Sequence, residues 1–305
     1  MPPTVTTVLS LDDVRLAGRT VLYRVDVNSP LEPSTGAFLD DSRLRSILDT
    51  LRDLSDAKVV IMGHQSRPGK DDFTGMEVHC DRLSRLLGQT IRFVADVCGD
   101  DAITAIEEMQ PGEKIFLNNV RMHSEEYGPD KVSLEEEPSS EIVTRLSAIA
   151  DVYVSDAFGA AHRNSPTLTG FAEEMPCIAG RLMNREIRAL GLAVDDPPRP
   201  YVAILGGAKC DDSLRVALNL IERDIVDCIP MVGVVGNLML WASGHDIGER
   251  NKEFIRNAMG GSFDETWGMA ERLLSDHSEK LFLPSDLVTE VDGKRHPIGI
   301  DELPT

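Results

Sequence analysis

Apolar runs of strand length alternate with segments of helical periodicity along this 305-residue chain, and that alternation constrains its fold more than any other feature. The runs fall at 21–27, 58–63, 91–94, 114–117, 151–155, 201–205 and 228–232. Between them the spacing predicts helices over 42–54, 102–109, 139–149, 182–194, 211–223 and 263–274, and one that ends at Leu87. In the first of these, Leu44, Ile47, Leu48, Leu51 and Leu54 share one face, with Asp40, Asp41 and Ser42 as capping candidates. Gly88 is the expected stop of the helix that precedes it. A strand that returns to the same sheet through a helix must run parallel to the strand it left, so the pattern predicts βαβ units and an α/β fold.

One stretch interrupts the alternation. Asp195-Asp196-Pro197-Pro198-Arg199-Pro200 cannot continue the helix before it, because its prolines remove donors and fix φ. The expected organisation is an N-terminal domain over 1–181, a hinge helix and linker over 182–199, and a second domain over 200–305. Both are expected to be Rossmann-like parallel-sheet domains. The second segment holds few strands, less than a complete doubly wound sheet needs.

The chain carries 51 Asp and Glu against 31 Lys and Arg, a formal net charge of −20. So acidic a protein is a poor match for nucleic acid or anionic membrane. Its cations are mostly arginine, which fits a high-salt cytoplasm as well as an ordinary acidic cytosolic protein. The residues Met1-Pro2-Pro3-Thr4-Val5 place no basic segment before an apolar one, so no secretory signal is expected, and no apolar stretch is long enough to span a bilayer. Cys80, Cys98, Cys177, Cys210 and Cys228 are widely spaced, which disfavours a zinc site and fits a reducing cytoplasm. All five are expected to be buried or half-buried.

Against this acidic background, cations and hydrogen-bonding groups gather just past the strand runs. Asp26 and Asn28 end the first, His64 and Arg67 follow the second, Arg121 follows 114–117, and Arg163 follows 151–155. In an open α/β sheet, ligands bind outside the carboxyl ends of the strands. The cluster therefore reads as a site for a small, highly charged anion. Taken singly, Asp26 and Asn28 could be turn-formers and each arginine a surface residue, while Arg24, inside the strand pattern, reads as structural. Arg43 lies in the first turn of a predicted helix, where a cation opposes the helix dipole, and an anion nearby would account for it. In the second segment, Ala203-Ile204-Leu205-Gly206-Gly207-Ala208-Lys209 is a strand entering a glycine turn before a helix. It could cradle phosphate oxygens, or be a tight turn with an exposed lysine; it lacks the spacing of a Walker loop.

Five of these runs, in this order, resemble the signatures of phosphoglycerate kinase. They are Arg24-Val25-Asp26-Val27-Asn28-Ser29-Pro30, His64-Gln65-Ser66-Arg67-Pro68, Asn119-Val120-Arg121-Met122-His123, Asp156-Ala157-Phe158-Gly159-Ala160-Ala161-His162-Arg163 and Leu205-Gly206-Gly207-Ala208-Lys209. Asp211-Asp212-Ser213, Asn251-Lys252-Glu253-Phe254 and Leu283-Pro284-Ser285-Asp286 resemble the archaeal branch in particular. The resemblance implies reversible phosphoryl transfer between 1,3-bisphosphoglycerate and ADP, giving 3-phosphoglycerate and ATP, with Mg²⁺ accompanying the nucleotide. It implies a triose site of Asp26, Asn28, Arg43, His64, Arg67, Arg121 and Arg163. Arg43 and Lys209 would stabilise the transferring phosphoryl group, and Gly206, Gly207, Lys209 and Gly233 would meet the nucleotide. A monomeric cytoplasmic enzyme is expected. Two features depart from the family: Ser213 stands where many members have a second lysine, and the glycine-rich nucleotide wall survives only as Met231-Val232-Gly233-Val234-Val235-Gly236-Asn237. Thr305 also falls about a hundred residues short of the usual length, before any Gly-Pro-Met-Gly segment, ribose-binding Glu or Gly-Gly-Gly-Asp loop. On this reading the nucleotide site is incomplete and little kinase activity is expected. The alternative is a non-catalytic relative that binds such anions as a sensor or interaction module.

Overall fold

The computed structural model of the protein describes residues 8–32, 34–195 and 197–303. Residues 1–7, where the leader expectation fell, and Asp196 of the proline-rich break lie outside the described residues. The chain divides into two compact units, the first ending at Ala189 and the second beginning at Leu190.

The first unit is built on six strands: β1 (Thr20–Val25), β2 (Lys58–Met62), β3 (Arg92–Val94), β4 (Lys114–Leu117), β5 (Val152–Asp156) and β6 (Cys177–Ala179). They form one sheet in the order β3-β4-β2-β1-β5-β6, and every pairing is parallel. Alternate residues of each strand go to opposite faces. Val21, Tyr23 and Val25 of β1 join Val59 and Ile61 in one core; Leu22 joins Val60, Met62, Ile115 and Leu117 in the other. Helices α1 (Ser42–Ser46), α2 (Leu48–Asp53) and α3 (Glu77–Leu87) cover the first face, and α4 (Asp100–Glu107) and α5 (Glu141–Ser147) cover the second. Burial on both faces is what a parallel sheet requires. A short α6 (Pro166–Thr169) and the longer α7 (Arg181–Asp195) complete this part of the chain, and the division between the units falls inside α7.

Three expectations are corrected here. The predicted helix over 42–54 is two helices that meet at Ile47, where the backbone turns to φ −95° and ψ −2°. There the buried Tyr23 hydroxyl reaches the Ile47 carbonyl at 3.4 Å, a contact that periodicity does not reveal. Cys177 is exposed rather than buried, because it begins the edge strand β6. The run over 201–205 forms no continuous strand; it makes only isolated parallel bridges, Val202 to Cys228 and Leu205 to Met231. Gly88 does end α3, in the left-handed conformation at φ 71°.

The second unit contains α8 (Cys210–Glu222), α9 (Gly233–Ala242), α10 (Glu249–Met259) and α11 (Phe263–Asp276). Leu214, Leu218, Val235, Leu238, Met239 and Leu273 form its core. Short strands β7 (Ile229–Pro230) and β8 (Leu281–Phe282) pair in parallel. Strands β9 (Asp286–Val291) and β10 (Lys294–Gly299) make an antiparallel hairpin that turns at Asp292-Gly293. Among the described residues, no helix is long and apolar enough to cross a membrane.

Candidate functional site

The sheet order places β4, β2, β1 and β5 side by side, and the loops leaving their carboxyl ends line one cavity of about 640 Å³. Asn28 follows β1, His64, Ser66 and Arg67 follow β2, Arg121 follows β4, and Arg163 follows β5; all six line it. Four loops that are distant in sequence thus bring three arginines to one place. Arg24, Glu126, Tyr127, Lys131, His162, Asn164 and Ser165 also line the cavity, and the sequence reading assigned none of them to the site.

The floor of the cavity is a buried charged network. Arg24 is 1% exposed and Glu126 is 4% exposed. Arg24 Nε donates to Thr167 Oγ1 at 2.9 Å, while one Nη2 lies 3.9 Å from Glu126 Oε1. Glu126 accepts from the Ser165 hydroxyl at 2.8 Å, the Thr167 amide at 2.9 Å and the Thr167 hydroxyl at 2.7 Å. These bonds fix the segment that carries Arg163. Such satisfaction is what permits a carboxylate to remain buried beside a guanidinium.

Arg24 also determines the state of His64. Its Nη2 lies 3.4 Å from His64 Nδ1, and a guanidinium can only donate, so Nδ1 is the acceptor and Nε2 carries the proton. His64 is 2% exposed, and burial, followed by Arg24, Arg121, Arg163 and Arg43, lowers its pKa to about 2. It therefore meets a ligand as a neutral N–H donor and leaves the positive charge to the arginines. Burial likewise lowers His79 to about 4. Both are neutral in the fold, whereas in the unfolded chain each takes up a proton below about pH 6.5. The unfolded state then binds more protons, so these two groups stabilise the fold fully above that pH. Their contribution is lost as pH falls toward the folded values, by about 1.4 kcal/mol per pH unit for each histidine. Asp156 and Glu137, whose carboxyls burial pushes up, act in the opposite sense. The clean check is NMR of the His64 imidazole, which is expected to keep neutral-ring shifts down to pH 4; a titration midpoint near 6.5 would contradict the assignment.

The outer wall is more open. Arg67 and Arg163 are exposed, whereas Arg121 is half-buried and stacks over Tyr127 at 5.0 Å from the ring centre. Burial and the charges of Arg163 and Arg24 push the Arg121 guanidinium below its usual pKa. An anion among these groups would relieve that repulsion. Arg121 Nη1 donates to the Ser66 carbonyl at 2.5 Å, and the Ser66 amide donates to Asn28 Oδ1 at 2.7 Å. Ser66 has φ 55°, in the left-handed region, a conformation that costs a non-glycine residue about 1–3 kcal/mol and concentrates at functional sites.

Asp26 and Arg43 are ion-paired with each other beside this cavity and are not among the residues lining it. Gly159 allows that pair to lie close to the turn after β5, since a Cβ there would sit 2.5 Å from Asp26 Oδ2. The dipole argument for Arg43 does not hold, because α1 is only five residues long and Arg43 belongs to its last turn as well. Asp26 supplies the reason for a cation there. In the second unit, Gly206 and Gly207 form the turn before α8, with Lys209 exposed at its N-cap. Gly207 has φ 102°, which only glycine adopts readily, and the Gly207 amide is the nearest group to a Cβ built on Gly233, at 3.7 Å. Ser213 closes the turn by donating to the Gly206 carbonyl at 3.3 Å.

The comparisons with known proteins agree in kind with these features. A sequence model of the family described as phosphoglycerate kinase matches residues 11–302. Phosphoglycerate kinase of Methanothermobacter thermautotrophicus is 40% identical over 297 residues, covering 97% of this chain and 71% of the relative. The crystal structure of phosphoglycerate kinase from Pyrococcus horikoshii OT3 superposes with a TM-score of 0.86 at 35% identity, over 96% of this chain and 71% of that one. The structure of the Coxiella burnetii phosphoglycerate kinase gives a TM-score of 0.72 at 26% identity, over 98% and 72%. With a match that runs through both units and spans all five motifs, this chain belongs to the phosphoglycerate kinase family.

Proposed function

We propose that the cavity binds 3-phosphoglycerate and 1,3-bisphosphoglycerate, and that the protein transfers a phosphoryl group reversibly between the latter and ADP. The observation that carries this reading is the convergence of Asn28, His64, Arg67, Arg121 and Arg163 from four adjacent strand ends in a member of this family. Arg67, Arg121 and Arg163 hold the phosphate, Asn28 and His64 meet the hydroxyl and carboxylate, and Asp26, beside the cavity, orients Arg43. Each charge-assisted hydrogen bond of this kind contributes about 1.5–3 kcal/mol. Arg43 and Lys209 act on the transferring group, and Gly206, Gly207 and Gly233 face the nucleotide. Mg²⁺ enters as part of the nucleotide substrate; among the described residues no cluster of three or more His, Cys, Asp or Glu offers a resident metal site. No side-chain nucleophile is required, because this transfer depends on positioning and charge stabilisation. The proposed domains are 1–181 and 200–305, joined through 182–199, in a cytoplasmic monomer that does not bind nucleic acid or membrane.

Adding 3-phosphoglycerate is expected to raise the melting temperature. Arg67→Ala and Arg163→Ala are each expected to weaken its binding more than about tenfold, since removing a charged partner at a desolvated site costs about 2–5 kcal/mol. Titration calorimetry checks this, and unaltered affinity in both variants would remove the assignment. A coupled assay of the purified chain tests the reaction itself.

A further inference from the structure

The ligands of the proposed site come from loops far apart in sequence, and one buried residue in the loop after β2 bonds the loops after β1 and β4. Gln65 is fully buried and does not line the cavity. Its carboxamide pairs with the Ser29 main chain in both directions: Oε1 accepts from the Ser29 amide at 3.1 Å, and Nε2 donates to the Ser29 carbonyl at 3.0 Å. From α3, His79 Nε2 reaches the same Oε1 at 3.0 Å, and as that oxygen only accepts, His79 carries its proton there. The Gln65 carbonyl accepts from Asn119 Nδ2 at 2.8 Å. Asn119 in turn accepts the Arg121 amide at 3.1 Å and caps the turn that presents Arg121.

Ser66, the residue after this hub, is in the left-handed conformation, and its main chain bonds both Asn28 and Arg121. A non-glycine residue stays in that region only where its surroundings over-determine it. We infer that Gln65 is the positioning residue of the anion site. Its side-chain bonds to Ser29 and His79, beside the main-chain bond that its carbonyl accepts from Asn119, hold Ser66 in the left-handed turn, and that turn sets the spacing of Asn28, Arg67 and Arg121. A leucine could fill the same volume, but it would make none of these side-chain bonds. The inference rests on the anion-binding reading above, though not on which phosphate compound is the natural ligand.

The test measures inorganic phosphate and 3-phosphoglycerate binding to the full chain by calorimetry, together with thermal midpoints. Gln65→Leu is expected to weaken phosphate binding at least about tenfold, the scale of a misplaced binding group. Adding Ser66→Gly to that variant supplies a residue that takes φ 55° freely, and is expected to restore phosphate affinity to within about threefold of the unsubstituted chain. The thermal midpoint is expected to stay depressed in the double variant, because His79 and Ser29 still lack their partner. A merely structural role would move affinity and midpoint together. Unchanged phosphate affinity in Gln65→Leu, or affinity that stays low in the double variant, would overturn the assignment. If Gln65→Leu does not fold, His79→Leu removes one bond from the hub and is expected to weaken phosphate binding about threefold or more; unchanged affinity there would overturn it equally. Phosphate bound and 3-phosphoglycerate refused by the unsubstituted chain would remove the functional reading alone.

Discussion

In a version of this chain extended to the full length of its relatives, of which it covers 71% in the case of the Methanothermobacter enzyme, Arg43→Ala is expected to lower the turnover number roughly 10³-fold while leaving 3-phosphoglycerate affinity within about threefold. The reason is where the charge sits. Arg67, Arg121 and Arg163 line the cavity and serve a bound phosphate, whereas Arg43 stands off it, paired with Asp26. Its side chain is 47% exposed against 9% for the Asp26 carboxylate, so the carboxylate anchors one face of a guanidinium that otherwise looks outward. A cation held beside the ground-state ligand adds little to its binding. It gains value when charge spreads over the transferring group, and arginines of that kind contribute on the 10³–10⁵ scale. Arg43→Lys restores charge but not the planar fork, and should recover only part of the loss. Steady-state kinetics with both substrates saturating decide the point. An unchanged turnover number with only a raised Michaelis constant would contradict this role.

How much of this was legible in the sequence depended on whether a feature is local. Strands β2 and β4 could be located because both lie inside the sheet, away from its edges, and read as short apolar runs bounded by polar residues. Edge strand β6 is only three residues long and escaped notice. Helix α9 was also missed, since an apolar run over 229–242 with little polar punctuation has no amphipathic face to detect. The Asp292-Gly293 turn did carry a hairpin signal, but its flanking strands are largely exposed and lack apolar alternation. At the site, the arginines after each strand stood out because an acidic chain makes them conspicuous. Glu126, Gln65 and Asn119 did not, because each works through buried hydrogen bonds to segments distant in sequence. Only the fold brings those partners together.

Arg24 is the residue on which that buried arrangement depends most, and Arg24→Met is expected to destabilise the fold by about 3–5 kcal/mol. Methionine fills much of the same space, so the loss is not a cavity effect. It arises because Glu126 would keep its three hydrogen bonds from Ser165 and Thr167 but lose the only guanidinium within 4 Å among the described residues. A carboxylate that is 4% exposed cannot recover the missing charge from water. His64 Nδ1 would lose its donor at the same time. The double variant Arg24→Met/Glu126→Gln removes the uncompensated charge: the carboxamide oxygen still accepts from the Thr167 amide, and its NH2 donates to the Ser165 and Thr167 hydroxyls, which turn to accept. It is expected to regain a large part of the stability, as buried ion pairs replaced on both sides often do. It is not expected to regain phosphate affinity, because His64 would no longer be held as an Nε2–H donor. Urea unfolding of the two variants beside the parent measures the first effect and calorimetry the second. A loss below about 1 kcal/mol in Arg24→Met would place the pair among the exposed ion pairs that contribute little, and would remove Arg24 from its central position in this site.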